Sequence, residues 1–263
     1  MRFKSIIFFL LIMGTSNSFA QQKAKEDSVK TGLNFGALPT ITYDSDFGLQ
    51  YGGMVNLYFY GDGSSYPEYR HSLYMEISRF TKGSGINRLF YDSKYLIPCI
   101  RLTADMSYLT EQALPFYGFN GAETVYNKEW EDDKSEAYIS RVFYRHERQF
   151  FRLKTDFQGK LPIENLGWIA GYLGYNFNIG SVDIDRLNKG KSGDDALPDT
   201  AGLYDLYVRW GLIDETEKDG GSHHYFKAGL VYDTRDNEPN PMRGIWSEFV
   251  VQAAPEFAGN NNF

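Results

Sequence analysis

The sequence predicts an all-β fold, an antiparallel transmembrane β-barrel. Three observations carry that expectation. Apolar and polar residues alternate over long stretches, which is the period of a strand. Several stretches reach the roughly 9–11 residues that a tilted strand needs to cross a bilayer. Of 263 residues, 20 are Phe, 20 Tyr and 4 Trp, and many of these rings fall near strand ends, as Tyr58, Phe59, Tyr60, Tyr95, Tyr108, Phe116 and Tyr117 do. Interfacial aromatic girdles produce that distribution.

The composition excludes other classes. No apolar run approaches the roughly 18 residues of a spanning helix. With 27 Lys+Arg against 34 Asp+Glu the net charge is −7 and the pI about 5.2, so the chain is not a nucleic-acid binder. One cysteine, Cys99, leaves no intrachain disulfide framework and no cysteine-based zinc site.

The chain opens with Arg2 and Lys4, an apolar core Ile6–Met13, and a small polar stretch ending Ser18-Phe19-Ala20. This reads as a cleavable signal peptide over residues 1–20, cut after Ala20. It directs the mature protein out of the cytoplasm, to a Gram-negative periplasm or outer membrane. Residues 21–34 are polar and expected to form a flexible tail. The barrel is expected over 35–263.

The clearest strand is Pro98–Thr110. Ile100, Leu102, Ala104, Met106 and Tyr108 alternate with Arg101, Thr103, Asp105 and Ser107. Phe47–Tyr60, Leu73–Arg79 and Phe151–Phe157 repeat the pattern, and Trp168–Phe177 and Phe226–Tyr232 follow it with glycine interruptions. In all, ten or eleven strands are expected, near 36–44, 47–60, 69–80, 86–96, 98–110, 135–147, 150–158, 167–179, 203–212, 224–233 and 244–254. Two architectures fit the alternation. A soluble sandwich buries the apolar rows between two sheets; a barrel turns them to lipid and the charges to a wet lumen.

With the N-terminus periplasmic, 44–46, 111–134 and 213–223 face outward, and Gln149 and Asn237–Arg243 form periplasmic turns. Asp183–Thr200 then falls on the periplasmic side and is too long for that side. Either a strand is miscounted or the segment is a plug-like excursion.

Gly229–Gly244 reads GLVYDTRDNEPNPMRG. Its Asp233, Thr234, Arg235, Asp236, Asn237, Pro241 and Gly244 resemble a motif of the bacterial surface-antigen family, the BamA/TamA-type outer-membrane assembly and translocation barrels. The resemblance implies a strand, a periplasmic turn and the start of the next strand. Phe116, Tyr117, Gly118, Phe119 and Asn120 look like that family's aromatic-Gly-aromatic-Asn stretch in an early outer loop. Pro39–Gly53 is similar to its first barrel hairpin. The family barrel has sixteen strands and a Val/Ile-Arg-Gly-aromatic loop, expected here past Phe263. Members that insert barrels carry periplasmic POTRA modules, which this chain lacks, and a C-terminally incomplete barrel is expected. The residues themselves read as structural: Arg235 between two aspartates can pair bidentately across the inside of a sheet, and Pro241 and Gly244 suit the end of pairing.

No catalytic, cofactor or metal set emerges, and an enzyme is not expected. His223 and His224 are adjacent in a strand and point to opposite faces, so one metal does not easily take both. His146 lies in an Arg-His-Glu-Arg charge cluster, His71 stands apart, Asp194-Asp195 completes no calcium ligand set, and Cys99 reads as a packed thiol at the start of a strand. The expected role, implied by the resemblance, is outer-membrane protein assembly or translocation, as an accessory subunit. Its partners would be outer-membrane lipid, assembly machinery and client barrels. A passive pore or structural surface antigen and a soluble periplasmic β-rich binding protein are the alternatives.

Overall fold

The computed structural model describes residues 29–44, 48–119, 124–238 and 240–259. The expected signal peptide, residues 21–28 of the tail, the expected outward connection at 45–46, and Asn120 lie outside the described residues.

Nine strands form one antiparallel sheet in chain order. They are β1 (Leu33–Asp44), β2 (Gly48–Phe59), β3 (His71–Phe80), β4 (Gly85–Ile97), β5 (Ile100–Pro115), β6 (Arg145–Lys160), β7 (Leu166–Gly180), β8 (Gly220–Asp233) and β9 (Trp246–Ala253). Each pairs only with its chain neighbours, and β1 and β9 are edges, so the sheet is open. Strand β1 starts at Leu33, inside the expected tail.

The count of ten or eleven strands is corrected to nine among the described residues. Gln149 is not a turn; it pairs with Thr110 and Asn178 in the middle of β6. No proline or turn pair interrupts 145–158, so the strand continues past Gln149, with a register shift between Glu111 and Leu114 of the facing strand. Residues 203–209 are a helix, not a strand. Leu203, Tyr204, Leu206 and Tyr207 recur at helical spacing, and the Asp205 carboxylate accepts from the Gly202 N–H at 2.8 Å. We label Ile184–Leu187 α1 and Leu203–Arg209 α2.

These corrections remove the misplaced long connection. Segments 81–84, 116–144 and 181–219 leave the sheet at one end, the loop end. Segments 60–70, 98–99, 161–165 and 234–245 leave at the other, the turn end. Asp183–Thr200 therefore sits beside 116–144, not opposite it. Cys99 does not begin a strand; with Pro98 it makes the two-residue β4–β5 turn, at φ 63°, and is exposed.

The register sorts side chains onto two faces. On one lie Thr40, Gln50, Ser78, Glu76, Arg88, Asp92, Arg101, Asp105, Ser107, Arg152, Asp156 and Lys227. On the other lie Phe35, Ile41, Val55, Leu73, Ile77, Leu89, Leu102, Met106, Phe151, Phe157, Phe226, Leu230, Phe249 and Val251. The polar face is the enclosed one: Asp92 is 2% exposed and Asp156 5%. The apolar face is bare, with Phe35 74% and Phe249 70% exposed. Water-soluble folds invert that order, since each large apolar side chain left in water forgoes about 1.5–3 kcal/mol.

Among the described residues no second sheet covers the apolar rows. The cluster of buried apolar side chains among the described residues lies in the loops: Phe143, Tyr144 and Leu203, with Phe116, Trp130, Ile139, Leu206 and Tyr207 against them. Toward the loop end the apolar face gives way to hydrogen-bonded polar groups. Arg79 donates to Asn87 (3.0 Å), Asn87 to the Tyr108 carbonyl (3.1 Å), Tyr108 to Gln149 (3.2 Å) and Asn176 to Ser222 (2.8 Å).

Candidate functional site

Alternation brings the charges of β3–β8 onto one face, where they neutralise one another. Asp105 on β5 is the hub. Arg88 reaches it with two nitrogens at 3.3 and 2.7 Å, Arg152 with one at 3.1 Å, and Ser107 donates at 3.0 Å. Two guanidiniums and a hydroxyl thus surround one enclosed carboxylate with charge-assisted bonds. Tyr74 donates to Glu76 at 2.7 Å beside Arg88. Lys227 on β8 meets Asp156 on β6 at 2.8 Å, and Lys154 adds a contact at 3.3 Å. Nearer the loops, Arg148 binds Glu111 at 2.6 Å.

The turn end holds a second network. Arg101 binds Asp92 bidentately at 2.8 Å through both nitrogens, and the Tyr69 hydroxyl donates to the same carboxylate at 2.6 Å. Burial and the Asp92 carboxylate together push the Tyr69 phenol well above its ordinary pKa. A bulge between Ser93 and Ile97 takes Lys94 out of the ladder. Lys94 then reaches Glu68 at 3.4 Å and Glu238 at 3.2 Å. Glu238, in the β8–β9 turn, also hydrogen-bonds Arg101. Its burial raises the carboxyl pKa, but the hydrogen bond and charge of Arg101, with Lys94, outweigh it and leave the pKa below the ordinary value. A cavity of about 250 Å³ lies among Arg101, Gln158, Val231, Asp233, Arg235, Glu238 and Trp246.

The strand-turn-strand motif shapes that turn. Arg235 pairs bidentately with Asp233 at 2.9 and 2.8 Å and lies over the Trp246 ring. That pair runs within one strand end, not across the sheet, and Asp236 takes no part in it. Asp236 accepts instead from the N–H groups of Met242 (3.0 Å) and Arg243 (3.2 Å), which hold its pKa low. Thr234 Oγ1 accepts from the Ile245 N–H at 2.8 Å. Gly244 has φ 98°, and a Cβ there would stand 2.3 Å from the Thr234 carbonyl oxygen, so a side chain is excluded. Asn237 and Pro241 are exposed on the turn.

The aromatic stretch lies at the opposite end. Phe116 contacts Phe119, His146, Tyr204 and Tyr207 edge-to-face, and Tyr117 lies against Tyr126 and Tyr144. Gly118 sits against the Tyr207 hydroxyl. These residues tie the β5–β6 loop to α2 over the loop end. The two motifs are therefore not brought together; the length of the sheet separates them. His223 and His224 do lie on opposite faces of β8, with Tyr172 Oη 2.7 Å from His224 Nδ1. His71 bonds the Tyr91 hydroxyl at 2.8 Å. Sequence reasoning missed Glu238 and its partners as a unit. Arg101 was legible as a wet-face residue, but nothing in the sequence paired it with a glutamate 137 positions on.

No protein-family model matches the sequence, and no curated protein matches it significantly. Among solved structures, the crystal structure of BamA from Haemophilus ducreyi lacking POTRA domains 1–3 is similar, with a TM-score of 0.41 and 14% identity. The alignment covers 86% of this chain and 34% of that chain, so this chain spans about a third of its length.

Proposed function

We propose that this chain builds part of the wall of an outer-membrane β-barrel, with the apolar face toward lipid and the charged face toward a hydrated lumen. The observation that carries the reading is the inverted burial of the sheet. Carboxylates are enclosed and phenylalanines bare, while the buried apolar cluster sits in the loops. The dimensions agree. From Ile100 to Tyr108 the apolar row of β5 runs about 27 Å along the strand, or about 20 Å along a membrane normal at a tilt of about 40°. Unpaired backbone groups cost several kcal/mol each in lipid, so the edges of β1 and β9 require partner strands there.

The signal peptide belongs to this proposal, as does a location in the outer membrane with the loop end outward. The residues Asp233 to Gly244 resemble an assembly-barrel motif and support a role in outer-membrane protein assembly or translocation, as an accessory subunit without catalytic chemistry. An exposed edge strand could template a client strand by main-chain pairing. A passive pore is the second reading, favoured by the continuous row of charges on the enclosed face. A soluble binding protein is disfavoured, because the apolar rows have no covering layer among the described residues.

Two experiments test this. In a Cys99→Ser background, Met106→Cys and Thr103→Cys place thiols on opposite faces of β5. In membranes a polar, impermeant thiol reagent should reach the thiol at position 103 and not the one at position 106; equal labelling would end the membrane reading. Depletion followed by outer-membrane proteomics addresses the role. Loss of other barrels supports assembly, whereas unchanged barrels with measurable single-channel conductance support the pore.

A further inference from the structure

We propose that the described part of the β8–β9 turn, residues 234–238 and 240–245, is a strap latched by Glu238 to Arg101 and Lys94, which closes the turn end of the charged face. The inference rests on the membrane reading above and adds a gate to it.

The sheet topology makes the contact informative. Arg101 belongs to β5, and Glu238 follows β8. Three strand spacings separate β5 from β8, about 14 Å on a flat sheet. Lys94 belongs to β4, one spacing further. A turn that simply continued its own hairpin would not meet either side chain. The turn therefore leans across the ends of β6 and β7 on the charged side, and Gln158 of β6 lines the cavity beneath it.

Among its described residues the turn is bonded internally at several places, and Glu238 carries its printed bonds to the far strands. The Asp233–Arg235 pair, the Thr234–Ile245 bonds and the Asp236 carboxylate on Met242 and Arg243 all close within 233–246. Among the described residues, Glu238 makes the hydrogen bond and ion pairs that tie residues 234–245 to the far strands. Its anchor is itself fixed, since Asp92 grips Arg101 and Tyr69 grips Asp92. Glu68 shares Lys94. A flap on a half-exposed ionic latch opens when that latch is neutralised or screened.

The test uses the full chain in lipid nanodiscs, with Cys99→Ser and Thr103→Cys, one rung above Arg101 on the charged face. A charged thiol reagent measures access. Glu238→Gln should raise the labelling rate about fivefold, the factor that about 1 kcal/mol of lost ion pairing gives. Lys94→Gln should raise it less. Raising the salt concentration should raise it in the parent and not in Glu238→Gln, which keeps the test valid if a substitution disturbs folding. An unchanged rate in Glu238→Gln, a salt-insensitive rate in the parent, or a parent rate already equal to that of a free thiol overturns the strap. The thiol of Met106→Cys serves as the reference. If it stays protected while the strap fails, the membrane reading stands; if it labels as fast as the thiol of Thr103→Cys, the membrane reading itself fails.

Discussion

Lys227 Nζ lies 2.8 Å from Asp156 Oδ1, although the whole of β7 runs between their strands. Ladder neighbours of both residues show why. Asp156 and Lys227 each stand opposite Gly171, which has no side chain to keep them apart. A Cβ on Gly171 would meet Asp156 Oδ1 at 2.3 Å, the Thr155 carbonyl at 2.6 Å and Lys227 Cε at 2.8 Å.

Gly171→Ala is therefore expected to split this pair and to destabilise the sheet by about 2–3 kcal/mol. Gly36→Ala is the matched control, because a Cβ there meets nothing within 4 Å. The heat- or urea-induced loss of folded electrophoretic mobility measures both. Equal midpoints for the two variants would remove the structural role given to Gly171.

Asp105→Asn leaves Arg88 and Arg152 without their shared carboxylate. Both arginines are partly open to solvent, so the expected loss is about 2 kcal/mol rather than the full cost of a buried orphan charge. Adding Arg88→Gln to Asp105→Asn should cost less than the two single changes summed, since the partners share one interaction. Strict additivity in urea unfolding would separate them.

Asp236 gives a pH dependence with a definite sign. Its carboxyl pKa is lowered in the folded turn, chiefly by the Met242 N–H, then by that of Arg243. A depressed carboxyl pKa stabilises the fold fully above the unfolded value and loses that contribution as pH falls through the folded value. The protection of the Met242 and Arg243 amides, taken relative to their intrinsic exchange rates, should thus hold through the ordinary carboxylate range and fall only below it. In Asp236→Ala that protection should be low at every pH.

Gly244→Ala forces a side chain into the left-handed region and against the Thr234 carbonyl. Strain of about 1–3 kcal/mol is expected, confined to residues 234–245. Exchange should rise across the turn while β5 and β6 keep their protection; a loss spread over the whole sheet would contradict a local role.

Much of the sheet was legible because a period of two is a local signal. Ile100 to Tyr108 fixes both faces of β5, although the strand was read two residues too early, through Pro98 and Cys99, which form the turn before it. The failures share a cause. Phe143 and Tyr144 look like strand residues, yet they serve a loop cluster with Phe116 and Leu203, which lie far away in the chain. Leu203–Arg209 is too short for its helical spacing to stand out from alternation. The Glu238 latch left no trace, because ion pairs between distant segments have no sequence period.

Among the described residues the sheet has no covering layer to collapse onto in water. Its oily rows face outward, and the small knot of rings at the loop end cannot by itself hold nine strands together. On the membrane reading proposed above, the acyl chains stand in for a core, and the sheet would take its native form only on meeting them.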